Sequence, residues 1–298
     1  MKSSPFSLAV LCTLCASLFI SCSTPHTLQE VKYQSVVMDS IKICYKTYGS
    51  GNNNIVFVHG FGCDINAWSE QFSYFSDKAR MVFIDLPGFG QSDKPHTDYT
   101  LDFYADAVKT VMDDLKIRGA VLVGHSLGTP VCRQAVIKYP NLASRLVDID
   151  GVYCFYPAPP EMVAVYEAFA ESFNNKDITQ VLKDFTTPLN TPKTPAGVVD
   201  YAMTIMPQTP SYVAYSTMHN LISEKYWDGT IIEIPALVIA SVNSQIPPDY
   251  NQIMSTLYAK MEYHELSDTG HFIMMERPQM FNEMLEQFII HTAPDNEI

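Results

Sequence analysis

Gly124-His125-Ser126-Leu127-Gly128 follows a short apolar run, Ala120 to Val123, and precedes Val131, Cys132, Ala135 and Val136 at helical spacing. A short apolar run bounded by glycine reads as a buried strand, and recurrence every three to four residues reads as a helix. A chain that passes from strand to helix this quickly must turn sharply. Small residues two before and two after the serine let it do so, and they leave the hydroxyl standing clear of the sheet. Ser126 is therefore the candidate nucleophile. A glycine-flanked turn without chemistry is the alternative, because a five-residue pattern recurs by chance.

The surroundings of this turn repeat its architecture. Residues 31–38 and 41–48 alternate as two strands joined at Asp39-Ser40, and 55–58 is a continuous apolar strand that runs into His59-Gly60-Phe61-Gly62. A helix over 66–76, a strand over 81–84, a helix over 101–115, the turn at Ser126, a helix over 127–139 and a strand over 146–149 complete the first part. Strand and helix in regular alternation predict an α/β fold with a mainly parallel sheet wrapped by helices. Between 151 and 230 the rhythm breaks. Pro157, Pro159, Pro160, Pro188, Pro192, Pro195, Pro207 and Pro210 punctuate helical pieces rich in Tyr, Phe and Met. The segment reads as a helical cap inserted over the C-terminal edge of the sheet, where open α/β sheets place their sites. Strands at 236–240 and 261–266 and helices at 250–259 and 279–290 resume the pattern. The expected organisation is one core, residues 31–150 with 231–298, carrying a cap at 151–230; 298 residues at 47% hydrophobic content suffice for it.

A formal charge of −13 argues against nucleic acid or an anionic membrane surface as the main partner. The N-terminus reads separately. Lys2 precedes an apolar run from Phe6 to Ile20 that ends at Ser21-Cys22, the pattern of an export signal over residues 1–21 and too short for a stable spanning helix. Phe19-Ile20-Ser21-Cys22 resembles a bacterial lipobox, with Phe19 where leucine is usual. That resemblance implies lipidation of Cys22, a tether over 22–30 and a place in the cell envelope, periplasmic or at the outer membrane. Simple cleavage is the alternative. Beyond the signal remain Cys44, Cys63, Cys132 and Cys154, which allow three pairings if all bridge. Cys44 and Cys132 sit in apolar strand and helix patterns, where a buried free thiol is expected. No His/Cys spacing suits a metal site.

Four motifs in order, His59-Gly60-Phe61-Gly62, Asp85-Leu86-Pro87-Gly88-Phe89-Gly90-Gln91-Ser92-Asp93, Gly124-His125-Ser126-Leu127-Gly128 and Gly270-His271-Phe272, resemble the α/β-hydrolase superfamily and its capped, esterase-like branch. The resemblance spans residues 31–290. It implies an eight-stranded sheet, Ser126 as nucleophile, His271 as general base and an oxyanion hole from the N–H groups of Phe61 and Leu127. His59 and His125 become loop-holding residues. The acid departs from the family's pattern: at the end of the strand over 236–240, Ser241 stands at the usual glycine and Ser244 at the usual aspartate. Neither Asn243 nor Ser244 can carry the charge that stabilises an imidazolium. Asp150, at the end of the preceding strand, is the candidate substitute, as in haloalkane dehalogenases and some lipases. Asp249, or a triad lacking an acid, remains open; Asp148 lies deeper on the same strand and Asp268 belongs to a turn.

A serine at the turn, where dehalogenases and epoxide hydrolases carry aspartate, points to esters or related acyl groups. Phe61, Tyr153 and Phe155 are the candidate pocket residues, with a plain core role as the alternative for each. The expectation is a cofactor-free serine hydrolase acting on a small or medium carboxylic ester, of unknown oligomeric state. The competing expectation is a non-catalytic relative that binds a ligand or partner.

Overall fold

The computed structural model describes residues 32–51, 53–151, 160–175, 177–242, 247 and 249–292. The export signal, Cys22 with its tether, Tyr153, Cys154, Phe155, Asn243 and Ser244 lie outside the described residues.

β1 (Gln34–Met38) and β2 (Ile41–Tyr48) form a hairpin. Its two turn residues, Asp39 and Ser40, both have positive φ, the requirement of a two-residue turn matched to strand twist. β3 (Asn54–Val58), β4 (Arg80–Ile84), β5 (Ala120–His125), β6 (Ala143–Ile149), β7 (Ala236–Ser241) and β8 (Met261–Leu266) follow. They join in one eight-stranded sheet of order β1-β2-β4-β3-β5-β6-β7-β8. β2 pairs antiparallel with β1 and β4, and every other pairing is parallel. Every residue of β5 and of β7 is buried, as strands covered on both faces must be. After β3 the chain adds β4 on one side and β5 on the other. The loops leaving β3 and β5 therefore diverge side by side, which opens the crevice where doubly wound sheets hold ligands.

The helices follow from capping and periodicity. α1 (Leu101–Asp114) starts where the Thr100 hydroxyl accepts from Phe103 N–H at 3.1 Å, and it buries Tyr104, Val108, Val111 and Met112 against the sheet. α2 (Gly128–Lys138) begins two residues after Ser126. Between β6 and β7 the described elements are all helical: α3 (Pro160–Asn175), α4 (Ile178–Thr186), α5 (Ala196–Ile205) and α6 (Ser211–Leu221), with short 3-10 turns between. α7 (Tyr250–Leu257) and α8 (Pro278–His291) close the core. No helix among the described residues is long and apolar enough to cross a membrane. Cys44, Cys63 and Cys132 are buried free thiols.

Two elements differ from expectation. The helix expected over 66–76 is a 3-10 turn, Ile65–Trp68, and one α turn, Ser69–Phe72. There Asp64 caps Asn66 N–H at 2.9 Å, and beyond the α turn Ser76 Oγ donates to Ser73 O at 2.9 Å. β6 begins at Ala143, ahead of the expected 146, because polar Arg145 pairs with Val121 inside the sheet while its guanidinium bonds Thr292 O.

α2 crosses β3 and β5 at backbone contact. A Cβ on Gly128 would lie 2.2 Å from Val58 O, and one on Gly124 would lie 2.4 Å from Gly128 O. Gly128→Ala is expected to lower stability by roughly 3 kcal/mol. Gly197→Ala, where an added Cβ meets nothing within 4 Å, is expected to be neutral or stabilising by up to ~1 kcal/mol. Urea unfolding midpoints measure both, and equal effects would contradict the packing described.

Candidate active site

Ser126 follows β5 with φ at +52°, a left-handed conformation costing a residue with a Cβ roughly 1 kcal/mol. Main-chain bonds hold it there. Its N–H donates to Ile149 O at 2.9 Å, and its carbonyl accepts from Thr129 N–H at 3.0 Å and Thr129 Oγ1 at 2.7 Å. Asp150 repeats the device one strand over, leaving β6 with φ at +47° and donating its N–H to Ile239 O at 2.8 Å. Adjacent parallel strands thus end in a hydroxyl and a carboxylate, each re-aimed by a strained residue.

Asp150 is buried, and its Oδ2 lies 2.6 Å from His271 Nδ1. Its Oδ1 accepts from Ser241 N–H at 2.7 Å and from Ser241 Oγ at 2.8 Å. Ser241, the last residue of β7, thus clamps the carboxylate. Charge-assisted bonds of this length fix orientation strongly. With Nδ1–H committed to Asp150, Nε2 is the nitrogen of His271 left for a reacting group.

His271 is held through its backbone as well. Its N–H donates to Leu189 O at 2.8 Å, between β6 and β7, and its carbonyl accepts from His125 Nε2 at 2.9 Å. Glu276 accepts from Gly270 N–H at 2.9 Å and Phe272 N–H at 3.2 Å, the amides flanking the histidine, and from the Thr194 hydroxyl at 2.8 Å. The rings of His125 and His271 lie 4.6 Å apart between centroids, which places His271 beside the turn that carries Ser126. Among the described residues the Ser126 hydroxyl makes no hydrogen bond, a common state before substrate engages.

The candidate oxyanion donors are prepared in the same way. Gly60 lies against the elbow: a Cβ there would come within 2.9 Å of His125 Nδ1 and 3.0 Å of Ser126 Cβ. His59 Nε2 accepts from Leu86 N–H at 3.1 Å, so its proton is on Nδ1, which donates to Gly60 O at 2.8 Å. In a trans peptide the carbonyl and the following N–H point opposite ways, so holding Gly60 O turns the Phe61 N–H away from His59. Among the described residues neither Phe61 N–H nor Leu127 N–H has a hydrogen-bond partner. Both residues are buried, and an unpaired buried amide is a standing invitation to an acceptor. Beneath them Asp85 accepts from Ile65 N–H and Gln91 N–H, each at 2.8 Å, tying the two flanking loops together. Burial raises its pKa.

The Phe61 side chain packs against Phe89, Phe173 and Phe185 with centroids 5.9, 5.9 and 6.2 Å away. Tyr201 of α5 donates to Asp64 Oδ1 at 2.9 Å. The sequence placed Ser126, Asp150, His271, Phe61 and Leu127 at this site, and the structure brings all five to one sheet edge. Tyr153 and Phe155 fall outside the described residues. Asp249 is exposed ahead of α7, Asp148 accepts from the Tyr258 hydroxyl, and Asp268 is ion-paired with Lys193 at 2.9 Å. Sequence reasoning missed Ser241 as a donor, the Leu189 carbonyl and Glu276. Only strand register and chain crossing reveal those partners, and no local signal announces them. Among the described residues no group of three His, Cys, Asp or Glu could hold a metal ion.

Burial holds the pKa of His59 below the usual histidine range and that of His125 well below it. The unfolded chain binds protons near pH 6.5 that the folded chain refuses, so stability is intact above that pH and declines as the pH falls below it. Urea midpoints are expected to fall from pH 7 to pH 5, and His125→Gln is expected to flatten the slope. An unchanged slope in that variant would contradict the burial argument.

A sequence model of the family described as the alpha/beta hydrolase fold matches residues 53–278. The (E)-2-((N-methylformamido)methylene)succinate hydrolase of Acinetobacter baylyi is 24% identical over 248 residues, 80% of this chain and 91% of that one. A local match, 36% identity over 109 residues, joins 37% of this chain to 29% of the dihydrolipoyllysine-residue acetyltransferase component of the acetoin cleaving system of Cupriavidus necator. The chain thus spans less than a third of that longer relative. Among solved structures, an esterase from Exiguobacterium antarcticum superposes with a TM-score of 0.77 at 20% identity, covering 87% of this chain and 98% of the other.

Proposed function

The chain belongs to the α/β-hydrolase family, and from that premise we propose that it is a serine hydrolase that cleaves small to medium carboxylic esters through an acyl-enzyme on Ser126. The observation that carries this reading is the buried 2.6 Å pair between Asp150 Oδ2 and His271 Nδ1 beside the strained serine. In the proposed reaction His271 Nε2 takes the Ser126 proton as Oγ attacks the ester carbon. Asp150 holds the ring in the required tautomer and stabilises the imidazolium that forms. The carbonyl oxygen, now negative, is received by the N–H groups of Phe61 and Leu127, donors that need no reorganisation at the moment of reaction. Collapse of the tetrahedral intermediate expels the alcohol with the proton from His271. Water, activated by the same ring, then releases the acid and regenerates Ser126.

A fluorophosphonate probe is expected to label the protein, and Ser126→Ala to remove the labelling; folded protein that resists the probe would rule the reading out. Asp150→Asn is expected to lower kcat for 4-nitrophenyl butyrate by about 10³-fold or more, while Asp249→Asn stays within twofold. The opposite ranking would move the acid to Asp249.

Residues 1–21 are proposed to direct export, with Cys22 lipidated so that the core works at the cell envelope. Palmitate labelling of the full chain in bacterial cells is expected to disappear in Cys22→Ala. Equal labelling of both proteins would refute the anchor.

A further inference from the structure

The carboxylate at the centre of the site has few partners. Asp150 is buried, and among the described residues it accepts three hydrogen bonds: one from His271 at 2.6 Å and two from Ser241, through its N–H at 2.7 Å and its Oγ at 2.8 Å. Every lysine or arginine ion pair among the described residues goes to another carboxylate. Oδ2 thus answers to the imidazole, and Oδ1 answers to a single residue of the neighbouring strand.

That residue matters because the torsion of an aspartate about Cβ–Cγ is soft, so burial alone does not decide which way the two oxygens face. One donor holds an oxygen at a point. A second donor from another direction stops the group turning about that point. The N–H at 241 is present whatever the side chain, proline excepted, whereas a hydroxyl comes only with serine or threonine at this length. Ser241 is itself held. It is buried at the end of β7, in register with Leu266 of β8, and the next N–H, that of Val242, donates to Leu266 O at 2.9 Å. On the other side Asp150 N–H donates to Ile239 O at 2.8 Å. Hydroxyl and carboxylate therefore stand on adjacent strands tied by main-chain bonds, a rigid base from which one side chain can aim another.

We infer that Ser241 is a positioning residue of the site, whose hydroxyl sets the plane of the Asp150 carboxylate and so keeps Oδ2 in line with His271 Nδ1–H. The inference rests on the serine-hydrolase reading and adds a residue to it. A hydroxyl present only to satisfy its own hydrogen bond would affect stability and leave the imidazole untouched. A positioning hydroxyl acts through Asp150 alone, so it adds nothing to substrate binding and has no effect where there is no carboxylate to hold. Without it the carboxylate turns, the bond to Nδ1–H is no longer held in line, and the imidazolium formed as Ser126 attacks is stabilised less.

The test reads both the bond and the rate. In the wild type His271 Nδ1–H is expected to give a far-downfield proton resonance at low temperature, the signature of a short charge-assisted bond; in Ser241→Ala it is expected to broaden or disappear. In that variant kcat for 4-nitrophenyl butyrate is expected to fall by ~10-fold with KM within about twofold, and Ser241→Cys, a weaker donor, is expected to fall between the two. In an Asp150→Ala background, adding Ser241→Ala is expected to change kcat/KM by less than about twofold. If alanine unfolds the protein, the cysteine variant carries the same comparisons. A resonance or a kcat left unchanged by the substitution would overturn the inference and leave the serine-hydrolase reading standing. A loss of the same size without Asp150 would also overturn it, because the hydroxyl would then act by another route. Absence of the resonance from the wild type would remove the bond and the inference with it. Wild-type protein that turns over no ester would count against the serine-hydrolase reading; the resonance then decides alone, and its survival in Ser241→Ala would overturn the inference.

Discussion

The contact on which the site depends is one of backbone against backbone. Helix α2 leaves the sheet so steeply that Gly128 lies over Val58 O and Gly124 lies under Gly128 O, with no room for a Cβ at either. That closeness forces the intervening serine into a left-handed conformation, which small neighbours alone permit. The same crossing brings the start of α2, with a Leu127 N–H that has no partner among the described residues, alongside the loop after β3. Strain at Ser126 is therefore a consequence of how closely helix and sheet pack, and it is offset by the large buried core around β3 and β5.

The carboxylate partner of His271 comes from one strand and its support from the next. β6 and β7 are neighbouring parallel strands, with Ile149 opposite Ile239, so side chains at their ends can reach the same point above the sheet. Asp150 reaches His271 from β6, and Ser241 at the end of β7 supplies two donors to its far oxygen. A glycine at 241 would supply one. A buried carboxylate needs its remaining lone pairs satisfied to remain a good acceptor, and Ser241 meets that need.

The segment between β6 and β7 is bound to the site rather than only covering it. Leu189 O receives the His271 N–H, Thr194 donates to Glu276, and Tyr201 donates to Asp64. Each bond ends on a loop that carries a candidate functional group. Displacing these helices would unpair buried polar groups in both the histidine and the oxyanion loops. Order in the described helices between β6 and β7 and order in the proposed catalytic geometry are thus coupled through specific hydrogen bonds.

Much of this was legible without coordinates. Hydrophobic periodicity located the strands to within a few residues, since buried strands must be apolar. The glycines around Ser126 and the four ordered motifs placed five candidate residues that do meet at one edge. The helix over 66–76 misled because the spacing of Trp68, Phe72 and Phe75 is helical although the α turn ends at Phe72. The choice among Asp150, Asp249 and no acid could not be made locally, for a carboxylate at a strand end looks alike wherever it stands in the sheet. Chain composition and pattern determined that there is a buried sheet, a sharp turn and a hydroxyl upon it. Tertiary packing alone decided which carboxylate faces the imidazole, which serine supports it, and which carbonyls hold the loops. Those are relations between residues 82 to 146 positions apart, set by strand order and register, which no local stretch of sequence encodes.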